Sequence, residues 1–158
     1  ALNIIHQTGE EDYERVNEAY DRVKAGTHPK DGWGSRVNVE VFKFIDDMAG
    51  AYKKADIVIC RSGATSIAEI LILGLPSILI PYSYAADNHQ EVNARCLSLK
   101  GAAVMMRQAD TNGKKLADEV VRLYEDSAAL KNMGETALNL GRPNAGRTIV
   151  EECYKYWR

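Results

Sequence analysis

The chain lacks the cysteine and histidine spacings that hold disulfides or metal ions. Its three cysteines and three histidines are dispersed, and no CxxC, HxxxH or HxH pair occurs. A metal site is therefore not expected. The odd number of cysteines and the lack of a signal peptide favour free thiols in a reducing cytosol. Cys60 lies in a predicted strand, and we interpret it as a small buried hydrophobic residue.

Long apolar runs, an excess of one charge and the short motifs of several enzyme classes are also absent. The longest apolar stretch, 67–81, is interrupted by Glu69, Gly74 and Pro76, so it cannot span a bilayer. A net charge of −2 with scattered basic residues gives no reason to expect a nucleic-acid partner. The lack of GxGxxG, Walker A and GxSxG motifs argues against a dinucleotide cofactor, an NTPase and an α/β-hydrolase.

What the sequence does contain is an alternation of strand and helix patterns. Its 158 residues have the size and composition of one folded soluble domain. Strands are predicted at 2–7, 37–42, 56–60, 76–80 and 102–106. Helices are predicted at 10–25, from 46 or 47 to 55, and at 64–73, 88–99, 112–125, 127–140 and 144–156. Short connections between them imply an α/β fold with one parallel sheet, helices on both faces and an all-helical C-terminal segment.

The stretch 55–69 combines a strand, a sharp turn and a helix. The strand pattern breaks at Ser62 and Gly63, and a helix pattern follows directly. Such a turn presents free backbone N–H groups at the carboxyl end of a strand, where open α/β sheets bind phosphorylated ligands. Thr65 and Glu69 are four residues apart and share a helix face. The same turn also occurs for packing alone, and Glu69 is then an ordinary solvated residue.

Three predicted loops follow the carboxyl ends of strands: 42–48, 61–69 and 81–93. In one parallel sheet these ends share an edge, so the loops are expected to converge. The helix starts within the second and third loops offer backbone donors to a diphosphate, and Arg61 is a candidate cationic partner. The carboxylate of Glu69 suits the two hydroxyls of a ribose.

The first loop has the residues to hold a planar base. Phe44 and Met48 flank the base in this interpretation, and the backbone of Ile45 bonds its polar edge. The alternative is that all three side chains belong to the hydrophobic core.

The third loop has polar side chains for a sugar. His89, Gln90 and Asn93 are candidates to bond sugar hydroxyls, so a nucleotide sugar is one ligand that would use all three loops. Alternatively, Asp87 and Gln90 form a capping box that only starts the helix. His89 is also a candidate general base, although no carboxylate in the local sequence obviously orients it.

These residues, in this order, resemble the C-terminal, donor-binding domain of the MurG-type transferases of peptidoglycan synthesis, which belong to glycosyltransferase family 28 and have the GT-B fold. The resemblance covers nearly the whole chain. The matching segments are 5–9, 44–48, 55–56, 60–65, 69, 74–76, 81–82, 87–90, 93–94, 101–103 and 140–143. One half of a GT-B enzyme has a Rossmann-like parallel sheet, which agrees with the predicted fold.

The resemblance implies a UDP-GlcNAc-dependent, inverting hexosyltransferase. Such an enzyme transfers GlcNAc from UDP-GlcNAc to the lipid-linked MurNAc-pentapeptide, lipid I, and forms lipid II. It has no metal in the donor site and needs no cofactor. The reaction takes place at the cytoplasmic face of the bacterial membrane and serves cell-wall synthesis, cell shape and cell division.

The resemblance also implies roles for individual residues. The backbone of Ile45 would read uracil, Glu69 would hold the ribose hydroxyls, and Gln90, with His89 and Asn93, would address GlcNAc. The other donor-binding candidates are Phe44, Met48, Arg61, Ser62, Gly63, Ala64, Thr65, Ser66, Ile67 and Ala68. No catalytic residue is assigned.

Two departures from the family limit what this chain is expected to do. The Gly-Gly-Ser-Gln-Gly loop that touches the diphosphate is missing, and so is the N-terminal domain with the acceptor site, the expected catalytic base and the membrane-contacting patch. We therefore expect 1–158 to be a single donor-binding domain that does not transfer sugar alone. The alternatives are the donor subunit of a two-chain enzyme and a non-catalytic nucleotide-sugar-binding module. The loop 26–36 looks longer than is usual for the family.

Overall fold

The computed structural model describes residues 2–24, 37–84 and 88–157, and the chain divides into two compact units, 1–54 and 55–158. The expected long loop at 26–36 lies outside the described residues, and so does Asp87.

The first unit is a parallel strand pair with two helices. β1 and β2 pair in register from Leu2 opposite Val37 to Gln7 opposite Phe42. The backbone ladder continues beyond the strands, because the N–H of Gly9 donates to the Lys43 carbonyl over 3.1 Å. The elements of this unit are β1 (Leu2–Gln7), α1 (Tyr13–Lys24), β2 (Val37–Phe42) and α2 (Met48–Lys54).

α2 begins where the sequence predicts a capped helix. The carboxylate of Asp47 accepts a 2.8 Å hydrogen bond from the N–H of Gly50, so Asp47, rather than Asp46, is the capping residue. The loop that precedes α2 is thus held at both ends, by the strand ladder and by the cap.

A half-buried pair joins β1 to α1. The Nδ1 atom of His6 lies 3.1 Å from the hydroxyl of Tyr20, and the two rings meet edge to face. Burial lowers the pKa of His6 and raises the pKa of Tyr20.

We expect this pair to make the free energy of unfolding depend on pH. Because the pKa of His6 is lower in the folded chain than in the unfolded chain, its contribution is complete above pH 6.5 and declines as the pH falls through the folded pKa. Urea unfolding of the wild type and of His6→Gln at pH 8 and at pH 5 measures this contribution. The wild type should lose more stability than the variant between the two pH values, and an equal loss would contradict the expectation.

The second unit is a three-stranded parallel sheet covered by helices. Its strand order is β3–β4–β5, and both strand pairs are parallel. The strands are β3 (Val58–Cys60), β4 (Ser77–Leu79) and β5 (Val104–Met105). The helices are α3 (Ala64–Leu73), α4 (His89–Leu99), α5 (Gly113–Glu125), α6 (Ser127–Leu140) and α7 (Ala145–Tyr156).

The core of the second unit lies on both faces of this sheet. Successive residues of a strand point to opposite faces, and Ile78 and Leu79 of β4 are each 0% exposed. Leu79 packs with residues of α4 and α6, including Leu97, whereas Ile78 packs with Leu123 of α5 and Met133 of α6. Helices therefore cover both faces, as predicted.

The α/β prediction is confirmed, and one detail of it is corrected. Within 2–24, 37–84 and 88–157, the backbone ladders form two sheets, β1–β2 and β3–β4–β5, instead of the single sheet that was expected. Residue patterns indicate which face of a strand is buried, but they do not indicate which strand is its neighbour. The all-helical C-terminal segment is also confirmed.

Candidate functional site

The turn between β3 and α3 presents backbone donors at the carboxyl end of a strand. Gly63 is the N-cap of α3, with φ −66° and ψ 148°, and no side chain of the described residues caps the helix. The first helical bond runs from the N–H of Ile67 to the Gly63 carbonyl, over 3.0 Å. The N–H groups before Ile67 have no acceptor within the helix. Ala64 and Thr65 are exposed, so this end of α3 is open to an anionic group.

Ser62 connects this turn to the start of α4 by hydrogen bonds. Its side chain is fully buried, and its hydroxyl donates a 2.8 Å hydrogen bond to the carbonyl of Gln90. Its own carbonyl accepts a 3.1 Å hydrogen bond from the side-chain amide of Asn93. Two predicted donor-binding residues, Ser62 and Asn93, thus hold the position of the turn.

The side chain of Gln90 is held by the loop after β4. Its Oε1 atom accepts a 3.0 Å hydrogen bond from the N–H of Tyr82. The N-cap position of α4 is taken by Asn88, with φ 56°, so Gln90 does not complete a capping box there. Among the described residues, none accepts from the side-chain N–H groups of Gln90, which leaves them as donors to a ligand hydroxyl.

Arg61 joins the carboxyl ends of all three strands of the second sheet. Its Nη1 atom lies 3.1 Å from the carbonyl of Ile80, 3.2 Å from that of Pro81 and 2.7 Å from Oε1 of Gln108. Its guanidinium also lies 5.5 Å from the centre of the Tyr82 ring. These contacts give Arg61 a structural role, while its predicted contact with a diphosphate stays a prediction.

Glu69 lies on the exposed face of α3, as the spacing from Thr65 predicts. Thr65, Ala68 and Glu69 are exposed, while Ile70 on the other face is buried. Burial raises the pKa of the Cys60 thiol to about 11, and the negative charge of Glu69 adds to the shift. Cys60 is therefore a neutral thiol near pH 7.

The first unit carries the predicted base-binding residues. Phe44 is 68% exposed, so it is not a core residue, and Ile45 and Met48 are half-buried. The N–H of Ile45 donates a 2.8 Å hydrogen bond to Oε1 of Gln7. No donor among the described residues reaches the carbonyl of Ile45.

The structure brings together part of the predicted site. Hydrogen bonds from Ser62 and Asn93 join the loops 61–69 and 81–93, which confirms that they converge. The loop 42–48 belongs to the first unit, and its convergence with the other two stays a prediction. His89 is exposed at the first position of α4.

Sequence reasoning missed two glutamines at strand ends. Gln7 ends β1 and contacts Ile45, and Gln108 follows β5 and contacts Arg61. The rule that polar residues at carboxyl ends of parallel strands converge, applied to three loops, applies to these two as well.

The part of the chain that the structure describes contains neither a group of metal-ligating side chains nor a membrane-spanning helix. No three His, Cys, Asp or Glu side chains there are grouped so as to hold an ion. No helix of those residues has the length and apolar character to cross a membrane.

Comparison with known families decides what kind of domain this is. Residues 1–148 match the model of the glycosyltransferase family 28 C-terminal domain. The chain belongs to this family. One relative, from Syntrophus aciditrophicus, is named UDP-N-acetylglucosamine--N-acetylmuramyl-(pentapeptide) pyrophosphoryl-undecaprenol N-acetylglucosamine transferase. It is 46% identical over 152 residues, which are 96% of this chain and 39% of the relative. The protein of the same name from Trichlorobacter lovleyi is 42% identical, over 96% of this chain and 36% of the relative.

Solved structures agree with this family 28 assignment. MurG of Acinetobacter baumannii superposes with a TM-score of 0.81 at 29% identity, covering 98% of this chain and 43% of that chain. The glycosyltransferase VinC, at 16% identity and a TM-score of 0.59, shows a shared fold only. The architecture is thus that of a GT-B C-terminal domain. The chain spans about two fifths of the length of the two curated relatives, 39% of one and 36% of the other.

Proposed function

We propose that this chain is the donor-binding domain of an inverting N-acetylglucosaminyltransferase and that it binds UDP-GlcNAc. The observation that carries the proposal is the 46% identity to a transferase whose name specifies GlcNAc transfer. The geometry agrees, because the uncapped start of α3 suits a diphosphate and the exposed carboxylate of Glu69 suits ribose hydroxyls.

The remaining parts of the proposal concern the whole enzyme. Its acceptor is lipid I and its product is lipid II. It acts as a peripheral protein at the cytoplasmic face of the bacterial membrane. Its product serves the cell-wall synthesis on which cell shape and cell division depend. The 158 residues alone bind the donor but do not transfer its sugar. An assay of GlcNAc transfer to lipid I by the 158-residue chain tests this last point, and product formation would contradict it.

Substitution of Glu69 tests the donor site. We expect Glu69→Ala to weaken binding of UDP-GlcNAc at least about tenfold, because hydrogen bonds to a charged group contribute about 1.5–3 kcal/mol. The measurement is isothermal titration calorimetry with the wild type, Glu69→Ala and the matched control Glu125→Ala, which removes an exposed glutamate from α5.

A second ligand makes this test specific for the ribose. An analogue of UDP-GlcNAc whose ribose lacks the 2′-hydroxyl should make one contact fewer to Glu69 in the wild type. Glu69→Ala should therefore cost less affinity for this analogue than for UDP-GlcNAc. No heat with the wild type, or equal affinity of the wild type and Glu69→Ala, would contradict the proposed donor site.

A further inference from the structure

The backbone ladder of the second sheet ends just before the loop that follows β4. The N–H of Ile80 donates to the Cys60 carbonyl over 2.9 Å. On the other side of β4, the N–H of Met106 donates to the Leu79 carbonyl over 3.0 Å. The next residue along the chain, Pro81, has no N–H with which to extend the ladder. The position of the chain after β4 therefore depends on contacts with side chains.

Arg61 provides several of these contacts. Its Nη1 atom donates to the carbonyls of Ile80 and Pro81 over 3.1 and 3.2 Å. The same atom donates over 2.7 Å to Oε1 of Gln108, which follows β5. Because Nη1 carries two hydrogens, these three acceptors use both of them. Contacts within the protein thus fix the position of the guanidinium.

The segment that carries Gln108 is also bound to α4. The Nε and Nη2 atoms of Arg107 each lie 3.0 Å from Oε1 of Glu91, in the first turn of α4. Gln108 contacts Arg61, and its neighbour Arg107 contacts α4. The segment after β5 therefore holds both Arg61 and the start of α4.

The contacts of Arg61 lead to the side chain of Gln90 in the candidate site. The guanidinium of Arg61 lies 5.5 Å from the centre of the Tyr82 ring, a distance at which the two attract each other. The N–H of Tyr82 donates to Oε1 of Gln90 over 3.0 Å, and the hydroxyl of Ser62 donates to the Gln90 carbonyl over 2.8 Å. Gln90 is therefore bound by one residue that Arg61 contacts and by one that follows it in the chain.

We infer that Arg61 and Gln108 are positioning residues for the sugar of the donor, and that they act through the loop 81–93 and not through a bond to the diphosphate. This inference rests on the proposed function. A bond from Arg61 to the diphosphate would contribute to the binding of UDP and of UDP-GlcNAc alike, because both ligands contain that group. Positioning of Gln90 matters only for the ligand that carries a sugar.

Substitutions of both residues separate these two roles. Arg61 and Gln108 are exposed, so their replacement opens no cavity. Arg61→Met and Gln108→Met remove the hydrogen bond between the two side chains, whereas Gln108→Glu keeps an acceptor oxygen at the same distance. Arg147→Met is the matched control, because Arg147 is an exposed arginine of α7.

Calorimetric titration of the 158-residue chain with UDP-GlcNAc and with UDP measures the effect on binding. We expect Arg61→Met and Gln108→Met to bind UDP-GlcNAc about three- to tenfold more weakly than the wild type, the range that one hydrogen bond contributes. Binding of UDP should be nearly unchanged. Gln108→Glu and Arg147→Met should keep the wild-type ratio of the two affinities.

The double variant tests whether the two residues act as one unit. Because Gln108 acts through Arg61 in this arrangement, Arg61→Met combined with Gln108→Met should weaken UDP-GlcNAc binding no more than Arg61→Met alone. Additive losses would show that the two residues act separately and would overturn the inference.

Hydrogen exchange tests the loop without a ligand. The amide of Tyr82 donates to Gln90, so it should be protected in the wild type and in Gln108→Glu. It should exchange faster in Arg61→Met and in Gln108→Met. Equal exchange in the wild type and in both methionine variants would overturn the positioning contact, whatever the titrations show.

The titrations distinguish failure of this inference from failure of the proposed function. Binding of both ligands by the wild type, with equal losses for UDP and UDP-GlcNAc in Arg61→Met and none in Gln108→Met, would overturn the inference alone and assign Arg61 to the diphosphate. No binding of either ligand by the wild type would overturn the proposed function, and the role of Arg61 in donor binding with it.

Discussion

Leu79→Ala is expected to lower the free energy of unfolding by about 2–5 kcal/mol, the range for large-to-small substitutions in a core. Leu79 is 0% exposed on the central strand β4. Four of the buried residues in its cluster are alanines, at 94, 102, 103 and 137. Because alanine side chains cannot extend into the space that a leucine leaves, the cavity should persist and the loss should lie in the upper part of the range.

Urea unfolding measures this loss, and two variants control it. Leu79→Met keeps the volume and should cost less than about 1.5 kcal/mol. Leu99→Ala removes the same atoms from a side chain that is 80% exposed and should have little effect. If Leu79→Ala cost no more than Leu99→Ala, the cluster around β4 would not be the core of the second unit.

Gly134→Val should destabilise the second unit by about 3 kcal/mol, at the upper end of the usual cost of overpacking. A Cβ atom at Gly134 of α6 would lie 2.7 Å from the carbonyl oxygen of Gly74 at the end of α3. Gly74 is the C-cap of α3, with φ 63°, and the N–H groups of Gly74 and Leu75 bond the last carbonyls of this helix over 3.2 and 3.1 Å, so the backbone at this contact is held in place. Because α3 also carries Glu69, displacement of this helix should weaken UDP-GlcNAc binding as well.

Two smaller substitutions give the comparison for Gly134→Val in thermal and urea unfolding. Gly134→Ala should destabilise less, because alanine recovers up to about 1 kcal/mol of helix propensity. Gly146→Ala places the same Cβ atom on α7, where nothing lies within 4 Å, and should be neutral or stabilising. A stable Gly134→Val would show that α3 and α6 do not depend on this close approach.

The sequence predicted the bounds of β1 and β2 and came close for most helices, but it overestimated the strands of the second sheet. α3 has the predicted bounds because apolar spacing and Gly74 mark its extent and its end. β3 and β4 are shorter than predicted, at three residues each. An apolar run shows that a segment is buried, but the length of a strand depends on how far its neighbour pairs with it.

Within the candidate site, the sequence predicted positions better than contacts. It placed Ser62, Glu69 and Gln90 in the segments that follow β3 and β4, and the structure has Ser62 in the turn after β3, Glu69 on α3 and Gln90 on α4. It did not predict that the Ser62 hydroxyl donates to a carbonyl of α4, or that the Asn93 amide donates to the Ser62 carbonyl. It also did not predict that Arg61 donates to a carbonyl after β4. These contacts join residues 19 to 31 positions apart in the chain, a distance at which local patterns carry no information.

The sequence by itself determined the α/β class, most helix bounds, the turn at Gly63 and the family. The fold class, the helix bounds and the turn depend on the spacing of residues that are close in the sequence. The family depends on the order of its motifs along the chain. Only the tertiary structure decided that the strands pair in two sheets, that Arg61 and Asn93 hold the site together, and that Gln7 takes the N–H of Ile45. Such choices depend on which groups meet after folding, where a polar group takes the partner that is within reach.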